Sequence, residues 1–192
     1  MTRLVQVRSG PRRLVAVVDE PHLCIVGEFD SVYEMVQAAL RFGASLASIV
    51  QAYVTSEVLD YDSVLRGESE WRVLVPIDHP WESSRCLVSG TGLTHLGSAQ
   101  DRQAMHQTDA AAQTDSMRMF RLGLEGGRPV PGAIGSAPEW FYKGTGATLR
   151  AHGEALEVPT FAEDGGEEAE VAGVYVIGED GQPWRDHALP RQ

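Results

Sequence analysis

The sequence predicts an α+β fold, with a small N-terminal α/β unit in residues 1–76 and further strands in residues 77–192. Two apolar segments rich in β-branched residues, RLVQVR and RLVAVV, are separated by Ser9-Gly10-Pro11, which is typical of a β-hairpin. Helix start signals follow this hairpin. A later segment, GEEAEVAGVYVIG, again has the composition of a strand.

Further extended chain after the hairpin leads to two predicted helices. Asp30 or Ser31 can cap the first helix, and Glu34 lies three residues after Ser31, as in a capping box. Apolar residues at helical spacing follow, and Gly43 is expected to end the helix. Ser45 can cap the second helix, LASIVQAYV.

The middle of the chain is rich in glycine. A predicted strand at Cys86–Val88 leads into GTGLTHLGSA, which we interpret as a glycine-rich turn that contains His95 and precedes a helix. Such a turn could hold phosphate, but the segment lacks the G-x-G-x-x-G spacing and a Walker lysine. Residues 107–137 predict a long loop with a short helix near Ser116–Leu122. A loop of this length is often functional.

The strand predicted near the C-terminal end carries two acidic residues. Successive side chains of a strand point to opposite faces, so Glu168 and Glu170 share one face. Both faces become apolar after Glu170, which indicates a strand, Glu167–Ile177, covered on two sides. Two ionised carboxylates on one face repel each other and resist burial unless they are paired. Either this end of the strand is solvated, or a cation lies between the two carboxylates.

Shorter predicted elements flank the acidic strand. PEWFYKG ends a strand with three aromatic residues, for which core and rim packing is the simplest interpretation, and continues through Lys143 into a glycine turn. ALEVP predicts another short strand. Glu179-Asp180-Gly181 predicts a hairpin turn that leads to a short return strand, QPWR.

The composition excludes some classes of protein. The chain has 192 residues, of which 43% are hydrophobic, enough for one domain with a core or for two smaller domains. No stretch approaches the ~18 apolar residues of a membrane span, and the N-terminus lacks a signal-peptide layout. Cys24 and Cys86 match no metal or redox spacing, so we expect free thiols in the cytoplasm, with a disulfide as the alternative.

The net charge of −11 is concentrated towards the C-terminal end. Nucleic acid is excluded as a partner, because phosphate binding needs clustered cations. A divalent cation or a basic partner suits this segment better, although a solvated acidic loop is the preferred interpretation for its first four carboxylates. Between Ala151 and Trp184 there is no Lys or Arg, and nine carboxylates are present: Glu154, Glu157, Glu163, Asp164, Glu167, Glu168, Glu170, Glu179 and Asp180.

Several segments, taken in order, resemble the fumarylacetoacetate hydrolase superfamily. PEWFYKGTGATLRAHGEALEVP resembles the family stretch in which Phe-x-Lys precedes a glycine turn, and GEEAEVAGVYVIG resembles its Glu-x-Glu strand. CLVSGTGLTHLGSA resembles its histidine-bearing glycine turn. SVYEMVQAA, IDHP and DSMRMF extend the resemblance to the sugar-acid branch, which is associated with dehydration of 2-keto-3-deoxy-pentonates. The resemblance covers residues 1–185.

The resemblance implies a fold, a cofactor and a reaction. Residues 77–192 would form the first part of an incomplete mixed β-roll. Glu168 and Glu170 would hold Mg²⁺ or Mn²⁺ together with an aspartate from a later strand. His95 would be the general acid or base, and Lys143 would place positive charge near the substrate carboxylate or the developing enolate. The implied function is that of a metal-dependent lyase, a dehydratase acting on a small 2-keto-3-deoxy sugar acid, working in the cytoplasm as a homodimer.

Two departures from the family pattern leave alternatives open. Many members pair the turn histidine with a glutamate one helical turn later, whereas Ser98 stands three positions after His95. No aspartate after Glu170 matches the third metal ligand, so we expect a member truncated at its C-terminus. The alternatives are a hydrolase that cleaves a carbon–carbon bond in a β-diketone acid, and a non-catalytic truncated remnant without the third ligand. For the residues themselves, the alternatives are a solvated strand entry for the two glutamates, a structural role for His95 and a surface or strand-end position for Lys143.

Overall fold

The computed structural model describes residues 2–92, 96–97, 100, 114–165 and 170–184. The chain divides into two compact units, one formed by Met1–Cys86 with Gly146–Gln192 and the other by Leu87–Thr145. The fold is mixed α+β, with antiparallel sheets and several helices. The predicted boundary after residue 76 stays a prediction.

A five-stranded antiparallel sheet forms the centre of the first unit. Its strands in chain order are Leu4–Ser9 (β1), Arg12–Asp19 (β2), His22–Val26 (β3), Val54–Asp60 (β4) and Arg72–Val73 (β5). Neighbouring strands follow the order β4-β3-β2-β1-β5. The predicted N-terminal hairpin is confirmed, and Gly10 occupies its turn with a φ of 56°, which glycine adopts without steric cost.

Helices Val32–Phe42 (α1) and Leu46–Tyr53 (α2) begin at the predicted capping residues, and α1 ends at the predicted Gly43. Ser31 Oγ accepts a hydrogen bond from the Glu34 N–H at 3.2 Å, and Gly43 ends α1 with a φ of 61°. The Glu34 carboxylate accepts from the Asp30 N–H at 3.0 Å, one residue before its partner in a standard capping box. Ser45 caps α2 in the same way as Ser31 caps α1.

Helix Tyr61–Arg66 (α3) was not predicted, because the run from Tyr61 to Trp71 is polar. Capping residues for its N-terminus and its C-terminus are nevertheless present in the sequence. Asp60 accepts a hydrogen bond from the Ser63 N–H at 2.7 Å, and Gly67 ends the helix with a φ of 69°. Val64 is its one buried residue, so a helix this short shows no clear apolar periodicity.

Apolar residues cover both faces of the sheet, which explains why β2 and β3 are apolar at consecutive positions. Val15 belongs to the cluster on the face of α1 and α2, and the next residue, Ala16, belongs to the cluster on the face of α3. The first cluster contains Val15, Val26, Val32, Met35, Val36, Ala39, Ile49, Val50 and Val176. The second contains Val7, Ala16, Leu23, Ile25, Val64 and Trp71.

A buried glutamine joins the sheet to helix α1 and to the chain after β5. Gln6 has no exposed surface. Its Oε1 accepts a hydrogen bond from the Val32 N–H at 2.8 Å, at the first residue of α1. Its Nε2 donates to the Val75 carbonyl at 2.8 Å and to Asp78 Oδ1 at 3.0 Å. Both donors and the acceptor of this amide are therefore used, as burial requires.

Arg13 completes this network from strand β2. Its two terminal nitrogens donate to the two Asp78 oxygens at 2.7 and 3.0 Å, and its Nε donates to the Asp30 carbonyl at 3.2 Å. Burial by itself raises the pKa of Asp78. The hydrogen bonds from Arg13 and Gln6 and the charges of Arg13 and Arg8 outweigh that effect, so the pKa of Asp78 lies below its ordinary value.

The second unit contains a two-stranded antiparallel sheet and a helix. Strand Leu87–Gly92 (β6) pairs antiparallel with strand Glu139–Thr145 (β7), and helix Asp115–Gly126 (α4) contacts β7. The helix predicted near Ser116–Leu122 is confirmed and is longer than expected. Strand β6 extends through Gly90 and Gly92, so the predicted glycine turn is wrong at these two positions.

The described residues after Gly146, 147–165 and 170–184, belong to the first unit and have little regular structure. Strand Val176–Ile177 (β8) pairs with Pro183–Trp184 (β9) across the predicted hairpin turn, which is confirmed. The predicted strand ALEVP is not a strand. The structure describes residues 170–177 of the predicted strand Glu167–Ile177. Within these residues β8 is a strand, and residues 170–175 have no regular structure. No described strand pairs with these residues, so the expected covering of both faces is wrong for residues 170–175.

Two expectations from composition are tested by the structure. Cys24 and Cys86 are free thiols, and partial burial raises the pKa of the Cys86 thiol, with the charge of Asp78 acting in the same direction. None of the helices in the described ranges has the length and apolar character needed to cross a membrane.

Replacing Asp78 by asparagine is expected to lower the free energy of unfolding by about 1.5–3 kcal/mol, because hydrogen bonds to a charged group are lost. The pKa of Asp78 is depressed in the folded state, so its stabilisation is present above the unfolded-state pKa of about 4 and is lost as the pH falls through the folded-state pKa. Urea denaturation of wild type and Asp78→Asn, near pH 7 and again at about pH 3, measures this difference in stability.

The matched control for Asp78→Asn is Glu68→Gln, which removes the charge of an exposed ion pair with Arg66. We expect the control to change the free energy of unfolding by less than about 0.5 kcal/mol. Equal effects of the two substitutions would contradict the structural role of Asp78. So would a difference between wild type and Asp78→Asn that does not narrow at low pH.

Candidate functional site

The structure describes two of the four predicted site residues. Lys143 lies on β7 in the Leu87–Thr145 unit, and Glu170 lies in the other unit. His95 and Glu168 lie outside the described residues. Lys143 and Glu170 are therefore considered separately, each with its own neighbours.

Gly90 and Gly92 provide space for the side chains of the neighbouring strand. They pair with Phe141 and Glu139 of β7. A Cβ atom at Gly90 would lie 2.8 Å from Phe141 Cζ and 2.7 Å from Lys143 Cε. A Cβ atom at Gly92 would lie 2.5 Å from Glu139 Oε2 and 3.7 Å from Phe141 Cε1. The GTG sequence is thus explained by packing of an aromatic ring across strand glycines, without a phosphate.

These contacts define one side of the two-stranded sheet, which we call the glycine face: Gly90, Gly92, Glu139, Phe141 and Lys143. The phenylalanine ring spans both glycines, because its Cε2 is 2.9 Å from the position that a Cβ atom would take at Gly90, and its Cε1 approaches the corresponding position at Gly92. Phe141 retains 39% of its surface exposed. The glycine face therefore combines an accessible aromatic ring with one basic and one acidic side chain.

Lys143 lies on the glycine face at the position of a β-bulge. Ser89 pairs with Tyr142 and Val88 pairs with Gly144, so Lys143 is the additional residue on the bulged strand. Its Nζ lies 5.4 Å from the centre of the Phe141 ring, which is within cation–π range. Bulges are over-represented next to active sites, where they re-aim a side chain.

Glu139 is a candidate residue that the sequence analysis missed. Ser116 Oγ, in the first turn of α4, donates a hydrogen bond to Glu139 Oε1 at 2.7 Å. This bond fixes the carboxylate at the Gly92 end of the glycine face. The available signal was the alternation of strand side chains, which puts residues 139, 141 and 143 on one side.

Core and rim packing was expected for the three aromatic residues on β7, and two of them are largely exposed. Trp140 is 62% exposed and Tyr142 is 58% exposed. They alternate with Phe141 along the strand, and in the described part of this unit no second sheet layer covers their side. Of the three aromatic residues, Phe141 is the one that packs against the glycines.

Glu170 is exposed and lies at the start of the irregular residues 170–175. Within the described ranges, no three His, Cys, Asp or Glu side chains come together in a way that could hold a metal ion. Glu168 was outside that search, so the predicted ligand pair stays a prediction.

The IDHP segment, which contributes to the family resemblance, has a structural role in the first unit. Asp78 binds Gln6 and Arg13. The buried His79 accepts a hydrogen bond at Nδ1 from the Glu82 N–H at 3.1 Å, and its ring centre lies 4.9 Å from that of Tyr33. Both polar side chains therefore stabilise local structure.

Replacing Gly90 by valine is expected to lower the free energy of unfolding of this unit by about 1–3 kcal/mol, because the new side chain overlaps the Phe141 ring and the Lys143 side chain. Thr91→Val is the control, since the adjacent residue points to the other side and is exposed. We expect the control to change stability by less than about 0.5 kcal/mol. Native-state hydrogen exchange of the β6 and β7 amides measures the stability of this unit, and equal stability of Gly90→Val and wild type would rule out the packing described.

Comparisons of the chain with protein-family models, with curated proteins and with solved structures found no match. The resemblance to the fumarylacetoacetate hydrolase superfamily therefore rests on the sequence motifs themselves.

Proposed function

We propose that this protein is a divalent-cation-dependent lyase that removes water from a 2-keto-3-deoxy sugar acid. The observation that carries the proposal is the ordered series of motifs similar to the sugar-acid branch of the fumarylacetoacetate hydrolase superfamily. The mixed β-roll, the cytoplasmic location and the homodimer of that family are parts of the same proposal.

The position of Lys143 supports this proposal. The residue combines a positive charge with a neighbouring apolar ring, since its Nζ lies 5.4 Å from the centre of Phe141. A 2-keto acid has a carboxylate at one end and a carbon chain next to it. Its carboxylate would bind the ammonium group, and its chain would pack on the exposed part of the ring. A positive charge at this position also stabilises an enolate that develops on the keto group.

The proposed reaction removes one water molecule from two neighbouring carbons. A proton leaves the carbon beside the keto group, a hydroxide leaves the next carbon, and a carbon–carbon double bond forms between them. His95 is proposed as the group that accepts or returns the proton. Glu168 and Glu170 are proposed as ligands of Mg²⁺ or Mn²⁺. When bound, such an ion would supply Lewis-acid chemistry.

The test combines metal titration with an assay of the reaction. The purified chain is incubated with a 2-keto-3-deoxy-pentonate and either Mg²⁺ or Mn²⁺, and mass spectrometry follows a product lighter by one water. Calorimetry measures binding of each ion alone. Because Glu170 is proposed to bind the ion directly, Glu170→Ala is expected to weaken ion binding and to reduce turnover by about tenfold or more.

The matched control is Glu163→Ala, which removes another exposed carboxylate of the same acidic segment. This variant is expected to behave as wild type. Identical heats of ion binding for wild type and Glu170→Ala would exclude Glu170 as a ligand. A wild-type chain that releases no water from the substrate with either ion would contradict the lyase proposal.

A further inference from the structure

Three side chains of different chemistry lie in sequence along the glycine face. Lys143 Cε is at the Gly90 end, Glu139 Oε2 is at the Gly92 end, and the Phe141 ring contacts both positions. Alternate residues of a strand are about 6–7 Å apart, so the three groups form a row of cation, aromatic ring and carboxylate. A ligand that lies along this row meets each group in that order.

The carboxylate end of this row imposes a chemical requirement on the ligand. Ser116 donates to Glu139 Oε1 at 2.7 Å and so restricts the orientation of the group. An ionised carboxylate only accepts hydrogen bonds, and it has capacity for about four. Ligand atoms that approach the remaining positions must therefore be donors, such as hydroxyl groups. Carbonyl oxygens and alkyl groups form no favourable contact there.

We infer that Glu139 determines substrate specificity, by accepting hydrogen bonds from the hydroxyl groups of a sugar acid whose carboxylate binds Lys143. This inference rests on the proposed function and deepens it, because it names the part of the substrate that is selected. A polyhydroxylated 2-keto acid has donors at the end remote from its carboxylate. A β-diketone acid has carbonyl acceptors there, so the glycine face selects against the substrate of a carbon–carbon hydrolase.

The experiment compares a hydroxylated substrate with a ligand of equal chain length that has no hydroxyl groups. Kinetics with a 2-keto-3-deoxy-pentonate give kcat and KM, and 2-oxopentanoate is the competitive inhibitor. Glu139→Gln keeps the size of the side chain but replaces a carboxylate oxygen by an amide donor. It is expected to raise KM by about tenfold while the inhibition constant changes less than about twofold. Glu139→Asp retains a carboxylate and is expected to recover part of the selectivity.

The control is Glu125→Gln, an exposed position on α4, which is expected to leave both constants unchanged. Thermal melting of every variant establishes that it is folded. If Glu139→Gln weakens the binding of both ligands equally, or changes the binding of neither, the specificity role is overturned and the lyase proposal stays intact. A wild-type chain that neither converts the pentonate nor binds 2-oxopentanoate would overturn both proposals.

Discussion

The fully buried side chain of Gln6 is the interaction on which the first unit depends. Its hydrogen bonds reach helix α1 at Val32, the chain after β5 at Val75, and the Arg13–Asp78 pair. A buried amide without partners would cost several kcal/mol, so each of these elements must take the position that satisfies it. The apolar clusters on both faces of the sheet could tolerate small shifts in packing. The hydrogen-bond network of Gln6 tolerates only small changes in the positions of its partners.

The second unit depends on a different constraint: two positions of strand β6 have no side chain, and this decides how strand β7 packs against it. Gly90 and Gly92 allow the Phe141 ring to lie against strand β6. The ring in turn separates a basic residue from an acidic one. A two-stranded sheet buries little apolar surface, so this contact is important for the strand register as well as for any ligand site. The residues that stabilise this unit are thus also the residues proposed to bind a ligand.

Local signals predicted much of the N-terminal fold. Helix caps such as Ser31 and Ser45 act on a backbone N–H three residues away, and Gly43 acts on the last turn, so a short window of sequence contains the whole interaction. The prediction of a strand was wrong for residues 170–175, because strand formation depends on partners elsewhere in the chain. Helix α3 was not predicted because it has few apolar residues, although its capping residues are present in the sequence.

The candidate site was predictable in part, for related physical reasons. Lys143 was proposed from the family resemblance, whereas Glu139 was not proposed because a single glutamate in a strand carries no signal of its own. The GTG sequence was interpreted as a turn, since glycine serves both turns and close packing between strands. Only the position of Phe141, far along the chain, distinguishes the two uses.

Amide chemical-shift mapping with a 2-keto-3-deoxy-pentonate tests most directly whether the glycine face binds this class of ligand. Saturable shifts are expected at Gly90, Gly92, Phe141 and Lys143, with the Glu139 amide responding to the pentonate more than to 2-oxopentanoate. Saturable shifts confined to residues outside Leu87–Thr145, or no shifts at all, would contradict the account.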